Sequence, residues 1–258
     1  MTYRIIKQII YGIFYLLLLV GILFAVYLYL IQPEPTCFDR SQNQGEEGVD
    51  CGGPCESCAI RELDPIRVLP GVLLSVPGGG SSFIVQFRNS NATHAAKEFL
   101  YTINFYGSQD ELISTIEEQS FIYAGEVKFI THPNLKINPD RIKRSEVLIS
   151  NIDWVLRDEF PKPGIQARQT KLEVSTAKSD RDEVIITGVL SNNNSFILQQ
   201  ASIHARVSDR IGGLVAASKT LLEDIPAFSE KEFSIIMPIS PGLADNELQF
   251  DLYLEPLQ

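Results

Sequence analysis

Two hydrophobic periodicities divide the chain. From Ile9 to Ile31 the sequence IIYGIFYLLLLVGILFAVYLYLI carries no acidic or basic side chain. Such a run predicts a membrane-crossing helix over 9–31. At about 1.5 Å per residue it would reach roughly 34 Å, enough for a hydrocarbon core of about 30 Å. Gly12 and Gly21 weaken a helix in water but are ordinary in lipid, where every backbone N–H must be satisfied within the segment. Tyr11, Tyr27 and Tyr29 stand toward the two ends, where aromatic belts form. The run is longer than the apolar region of a cleaved leader and no A-x-A site follows it, so the expectation is an uncleaved signal anchor. Arg4 and Lys7 precede it, whereas Glu34, Asp39, Glu46, Glu47 and Asp50 follow. The positive-inside rule therefore predicts residues 1–8 in the cytoplasm and the rest outside the cell membrane.

Past Leu63 the period shortens to two. Phe99, Tyr101, Ile103 and Phe105 alternate with Leu100, Thr102, Asn104 and Tyr106, and Ile203, Ala205 and Val207 with Ser202, His204, Arg206 and Ser208. Leu248, Phe250, Leu252 and Leu254 repeat the pattern near the C-terminus, and turn-forming Gly, Pro, Asn and Asp separate the stretches. This is the signature of strands half-buried against a core. The chain also repeats itself: residues 83–91 align with 184–192, a displacement of 184 − 83 = 101 residues. A period near 100 residues is the size of one immunoglobulin-like sandwich. The predicted fold is all-β, with two tandem immunoglobulin-like β-sandwiches over 64–160 and 161–258, joined with limited freedom by Phe160-Pro-Lys-Pro-Gly164. They follow the N-terminal transmembrane helix and a short Cys-rich extracytoplasmic stalk, 32–63.

That stalk holds all four cysteines, spaced Cys37-x13-Cys51-x3-Cys55-x2-Cys58. Between Cys37 and Cys58 the large apolar residues are Phe38 and Val49, too few for a core, so covalent staples are expected. Four cysteines allow three pairings and the sequence does not choose among them. Zinc held by four thiolates and a redox-active Cys55-x-x-Cys58 pair are the competing readings. A zinc ribbon uses two separated C-x-x-C knuckles, and only one is present. Asp39, Asn43, Glu46 and Asp50 recur every three or four residues in the same loop, the oxygen donors that calcium prefers. They form the candidate ion site, against the alternative of a solvated acidic turn.

The segment resembles a short cysteine motif of bacterial surface and secreted proteins, roughly C-x-D-G-x-x-N-G-x-E-x-G-V-D-C-G-G-x-C-x-x-C. Cys37, Asp39, Asn43, Glu46, Gly48, Val49, Asp50, Cys51, Gly52, Gly53, Cys55 and Cys58 match it, and Arg40 and Gln44 stand where it has glycine. The repeated unit is similar to the bacterial FxLYD-like immunoglobulin fold, through Asn89, Asn91, Tyr101–Tyr106 and Leu112-Ile113 in one copy and Gly188, Asn192, Ala205–Asp209 and Leu214 in the other. The two resemblances imply a modular surface protein and bring no catalytic residues with them.

Composition narrows the chemistry. Lys and Arg number 22 against 32 for Asp and Glu, a formal charge of −10, and no basic cluster offsets it. Nucleic acid is thereby an unsuitable partner. His94, His132 and His204 show no ligand spacing and are expected to be exposed singly. Asp110-Glu111 and Glu117-Glu118 are expected in solvated turns, and Trp154 in a core. No nucleophile, phosphate-binding or zinc-protease motif occurs in its required context. The sequence therefore predicts no catalytic residues and no cofactor beyond calcium. It points to a non-enzymatic, membrane-anchored binding or scaffold protein with a protein or envelope partner, touching it through loop tips 77–82 and 191–195. The competing class is an extracytoplasmic enzyme, a hydrolase or a thiol-disulfide exchanger using Cys55 and Cys58. An accessory subunit of a cell-envelope complex is the third reading.

Overall fold

The computed structural model describes residues 2–27, 36–77, 79–176, 182–243 and 247–257. The chain divides into two units, residues 1–63 and 64–258. In the first, helix α1 (Thr2–Val26) starts well before the expected Ile9, and its apolar span covers Tyr3–Val26. Arg4 and Lys7 are accommodated inside it because long aliphatic stems can carry a charge toward the end of an apolar helix. The Lys7 ammonium lies 4.9 Å from the centre of the Tyr3 ring. Residues 28–31 of the expected span lie outside the described residues. A single turn, α2 (Cys58–Arg61), follows the cysteine cluster.

Among the described residues, the second unit is built from twelve antiparallel strands in two sets of six. The first set is β1 (Arg67–Ser75), β2 (Ser81–Arg88), β3 (His94–Tyr106), β4 (Leu112–Ile122), β5 (Val127–Leu135) and β6 (Arg144–Leu156). It forms sheets β1-β2-β5 and β4-β3-β6. The second set is β7 (Ile165–Thr176), β8 (Asp182–Asn192), β9 (Leu198–Asp209), β10 (Leu214–Ile225), β11 (Glu230–Ile239) and β12 (Leu248–Leu257), in sheets β7-β8-β11 and β10-β9-β12. The connectivity is the same in both, so the fold is two tandem immunoglobulin-like sandwiches. Alternate side chains supply the cores. Phe83, Val85, Phe87, Phe99, Tyr101, Ile103 and Phe105 fill the first, with Trp154 packed against them. Val184, Ile186, Leu190, Ile203, Val207, Ile235 and Met237 fill the second. Gly71 and Gly188 let Phe83 and Phe233 lie against the backbone, where a Cβ would collide with either ring.

The sandwiches do not hang from their linker as separate beads. The outer face of β1-β2-β5 packs on the outer face of β10-β9-β12, burying Ile84, Phe129, Ala217 and Tyr253 in a third apolar layer edged by Leu74 and Leu214. Four sheets are thus stacked, and the two middle ones are covered on both faces. That explains why β2 and β5 run buried through consecutive residues instead of alternating.

The internal repeat is anchored by two buried asparagines. Asn89 Nδ2 donates to the carbonyls of His94 at 2.8 Å and Tyr123 at 3.0 Å. Asn192 Nδ2 points toward those of Phe196, Ile225 and Pro226 at 2.9–3.1 Å. Each accepts at Oδ1 from the residue two positions on, Asn91 or Asn194. Those residues clasp the incoming chain in turn: Asn91 bonds reciprocally to Asp64, and Asn194 to Gly164. The structural displacement at this corner is 192 − 89 = 103 residues, two more than the sequence alignment suggests. A shift of two preserves strand alternation, so hydrophobic pattern alone cannot distinguish the two registers.

Replacing Asn192 with Ala should cost about 2–3 kcal/mol, since it strands buried carbonyls without a donor. Asn89→Ala should cost a similar amount. Urea denaturation of the full chain in detergent measures both, and a loss below about 0.5 kcal/mol would remove the corner from the account of stability.

Candidate functional site

The cysteines join as two interlaced disulfides, Cys37–Cys55 and Cys51–Cys58. Phe38 and Val49 are left exposed, so covalent bonds stand in for a core. Cys55 and Cys58 belong to different bridges, which takes away the mutual disulfide that a C-x-x-C exchange cycle turns over. Both also lose the thiolate that zinc binding would require.

The four oxygen-donor residues meet in one hydrogen-bond network. Asp39 accepts from Asn43 Nδ2 at 2.8 Å and from the amides of Thr36 and Ser41. The Asn43 contact, with the Thr36 amide, holds its carboxyl below the usual range. Buried Glu46 accepts from the amides of Asn43 and Asp50 at 3.2 and 3.1 Å. Both Asp50 oxygens accept from the Arg40 amide. Each carboxylate therefore organises a turn of backbone. Among the described residues, the one group of three or more His, Cys, Asp or Glu whose ligand atoms all lie within 4.8 Å of one another is Cys37, Glu46 and Cys55, two of them already disulfide-bonded. Arg40 and Gln44, which stand where the surface motif has glycine, adopt φ of 63° and 51°. That is the left-handed region glycine enters freely and other residues rarely occupy.

The larger polar constellation lies where the two sandwiches meet. Lys128, on β5, is fully buried. Its ammonium donates to Ser120 Oγ on β4 and to Glu255 Oε1 on β12, both at 2.7 Å, and lies 4.6 Å from the centre of the Phe121 ring. The other Glu255 oxygen faces His204 Nε2 at 3.0 Å. His204 Nδ1 accepts from the Thr131 amide at 3.1 Å, which leaves the proton on Nε2. The histidine thereby caps an amide of β5, which lies at the edge of its sheet. Burial pushes His204 below the ordinary histidine value against the opposing pull of Glu255. Burial alone would raise the Glu255 carboxyl, but Lys128 and the His204 N–H outweigh it and hold it far below the usual range.

Beside this knot, the Tyr101 hydroxyl donates to Glu118 Oε2 at 2.8 Å and meets His132 Nε2 at 3.2 Å. His132, helped by Tyr101 and Lys219 and opposed by partial burial, brings Glu118 down to about 2. Tyr101, Glu118, His204 and Glu255 line a cleft of about 200 Å³ together with Gln200, Ser202 and Lys219. The linker seals the adjoining corner. Phe160 stacks on Tyr123 at 4.9 Å, the Tyr123 hydroxyl donates to Pro256 O at 3.0 Å, and Lys162 bonds Glu126 at 2.5 Å.

Several expectations change. His94, His132 and His204 are all buried. His204 sits on the polar face of its strand, but that face is covered by the other sandwich. Glu117-Glu118 lies within β4 and not in a turn. In the two expected contact tips, Ser81, Ser82, Ser191 and Asn192 are buried strand residues. Lys128 and Glu255 are invisible as a pair in the sequence, because 127 residues separate them. The available signal is apolar Ile84, Phe129 and Tyr253 on faces that a free sandwich would turn to water.

No protein-family model matches the chain, and no curated protein does. Among solved structures, a glycosyl hydrolase family 2 member from Bacteroides cellulosilyticus DSM 14838 aligns at 13% identity and a TM-score of 0.30, over 71% of this chain and 30% of that one. Red sea bream transglutaminase aligns at 10% and 0.26, over 78% and 30%. A β-glucuronidase of glycoside hydrolase family 2 aligns at 12% and 0.26, over 69% and 24%. The chain thus spans less than a third of the length of each of them, and at these TM-scores none bears on its function.

The pH dependence of stability follows from the knot. Groups whose proton affinity is depressed by folding stabilise the protein above their unfolded pKa and lose that contribution as pH falls toward the folded one. Unfolding free energy should therefore be level between about pH 7 and 9, fall below about 6.5 as His204 is protonated, and fall again from about 4.5 toward 2 through Glu255 and Glu118. His204→Gln keeps an acceptor for Thr131 and a donor for Glu255, so it should flatten the upper phase alone. Urea titrations across that range read this directly, and an unchanged upper phase in the variant would assign it elsewhere.

Proposed function

We propose that this protein is a non-enzymatic, membrane-anchored scaffold that presents a rigid double sandwich outside the cell membrane. α1 is the anchor, with residues 1–8 inside, and the disulfide-stapled segment is the stalk. What carries the reading is the use made of the buried polar groups. Lys128, Glu255, His204 and Thr131 are bonded to one another across the two sandwiches, and Glu118 is held ionised. None of these carboxylates is tuned toward neutrality, as a general acid or base would need. Tethering supplies the mechanism: an anchored module meets partners in the same membrane at an effective concentration far above that in solution. The two disulfides favour an oxidising compartment. Loop residues 193–195 and the β1–β2 turn remain available to an envelope protein.

A membrane-impermeant amine reagent added to intact cells stripped of any outer barrier should label lysines within 64–258 while cytoplasmic proteins stay unlabelled. Absence of label on this unit would overturn the orientation.

Calcium bound by Asp39, Asn43, Glu46 and Asp50 is a subsidiary part of the proposal. Added to the full chain in detergent, millimolar calcium should shift the amide resonances of residues 36–58. If they do not move, the ion is removed from the reading.

A further inference from the structure

Phe228 lies in the turn between β10 and β11 with φ of 53°, and its side chain is 74% exposed. The first sandwich makes the same turn with glycine. Gly125, at φ 68°, donates its amide to Asn91 O at 2.8 Å, and the Phe228 amide donates to Asn194 O at 3.2 Å. A left-handed conformation crowds the Cβ of any side chain and is an outlier for a bulky one. The sister turn shows that the fold asks only for glycine here. An aromatic ring held against this strain and turned toward water points to a role outside folding. Ile197, 51% exposed, and Phe196, 37% exposed, sit in the adjoining β8–β9 loop.

We propose that Phe228, Ile197 and Phe196 form a lipid-contacting tip that seats this end of the double sandwich in the membrane interface. The proposal rests on the anchored reading and deepens it. Its first support is position. The chain arriving from the anchor enters this unit at Asp64, clasped to Asn91, and the linker leaves Phe160 against Tyr123 and reaches Asn194 at Gly164, four residues on. Both asparagine corners therefore lie at one end of the unit, and the tip belongs to the end at which the chain is attached. The second support is size. Three side chains offer a few hundred Å² at most, well short of the roughly 800 Å² per partner of a stable protein interface. Inserted apolar side chains need no such area when a transmembrane helix already holds the protein at the bilayer. The third is charge. With Glu223, Asp224 and Glu230 on the flanking strands and a net charge of −10, the tip suits neutral lipid and does not depend on basic residues.

The test uses the full chain in phosphatidylcholine vesicles whose acyl chains are brominated close to the headgroup. Phe228→Trp adds an emission to that of Trp154, and Ile211→Trp places the same reporter on the β9–β10 turn at the opposite end, where Ile211 is 94% exposed. The unsubstituted chain provides the Trp154 baseline. The reporter in Phe228→Trp should be quenched at least several-fold more than the one in Ile211→Trp, at low and high salt alike. Equal quenching in the two variants would overturn the tip. Alkaline carbonate extraction of the same vesicles reads the anchor separately. If the Phe228→Trp chain is retained but its added emission is unquenched, the tip alone is overturned, whereas an extracted chain overturns the anchored reading and the tip with it.

Discussion

A lysine with no exposed surface can keep its charge only beside an anion, and for Lys128 that anion is supplied by the other sandwich. Separating the two would leave its ammonium beside Phe99, Phe121 and Ser120 with no carboxylate. Breaking such a pair typically costs about 3–5 kcal/mol, although a well-packed apolar replacement of both partners is often no worse. The pair therefore contributes specificity more than strength. Apolar contacts among Ile84, Phe129, Ala217 and Tyr253 would tolerate several seatings, but Glu255 reaches Lys128 while His204 reaches the Thr131 amide in one. One geometry satisfies both charges and caps an edge strand that could otherwise pair with a foreign chain.

The unit before Leu63 solves a different problem with different means. Its cysteine segment leaves Phe38 and Val49 exposed and buries too little for a core, so disulfides limit the unfolded ensemble and carboxylates order the turns by accepting backbone amides. Covalent closure allows it to carry non-glycine residues at Arg40 and Gln44 in conformations that a weaker scaffold would give to glycine. Two strategies of stabilisation thus follow one another along the same chain, and each matches the apolar content of its segment.

Legibility follows the range of the interaction. The apolar helix, the cysteine cluster and the period-two strands are local patterns, and each corresponds to an element in the structure. The repeat is detectable in the sequence but its register is off by two, because slipping a strand by two residues leaves every side chain on the same face. Alternation places His204 on a polar face, which is correct for its own sheet. The sequence contains no local statement that a second sheet covers that face, and the same gap hides Lys128 and Glu255. Tyr253 and Phe129, apolar on nominally outward faces, are the residues that could announce it.

What the amino-acid order determined alone was the division of labour: a helix with a long apolar run, a stretch that needs staples, and two sandwiches whose alternating residues define their own cores. These follow from hydrophobic burial and backbone geometry, which act between neighbours in the chain. The pairing of disulfides, the face-to-face seating of the sandwiches and the fate of every buried charge were decided by the tertiary structure. The disulfide pairing depends on which cysteines the turns of one short segment bring together. The seating and the buried charges depend on groups far apart in sequence, and the desolvation that makes their pairing obligatory arises only once the two sandwiches have closed over them.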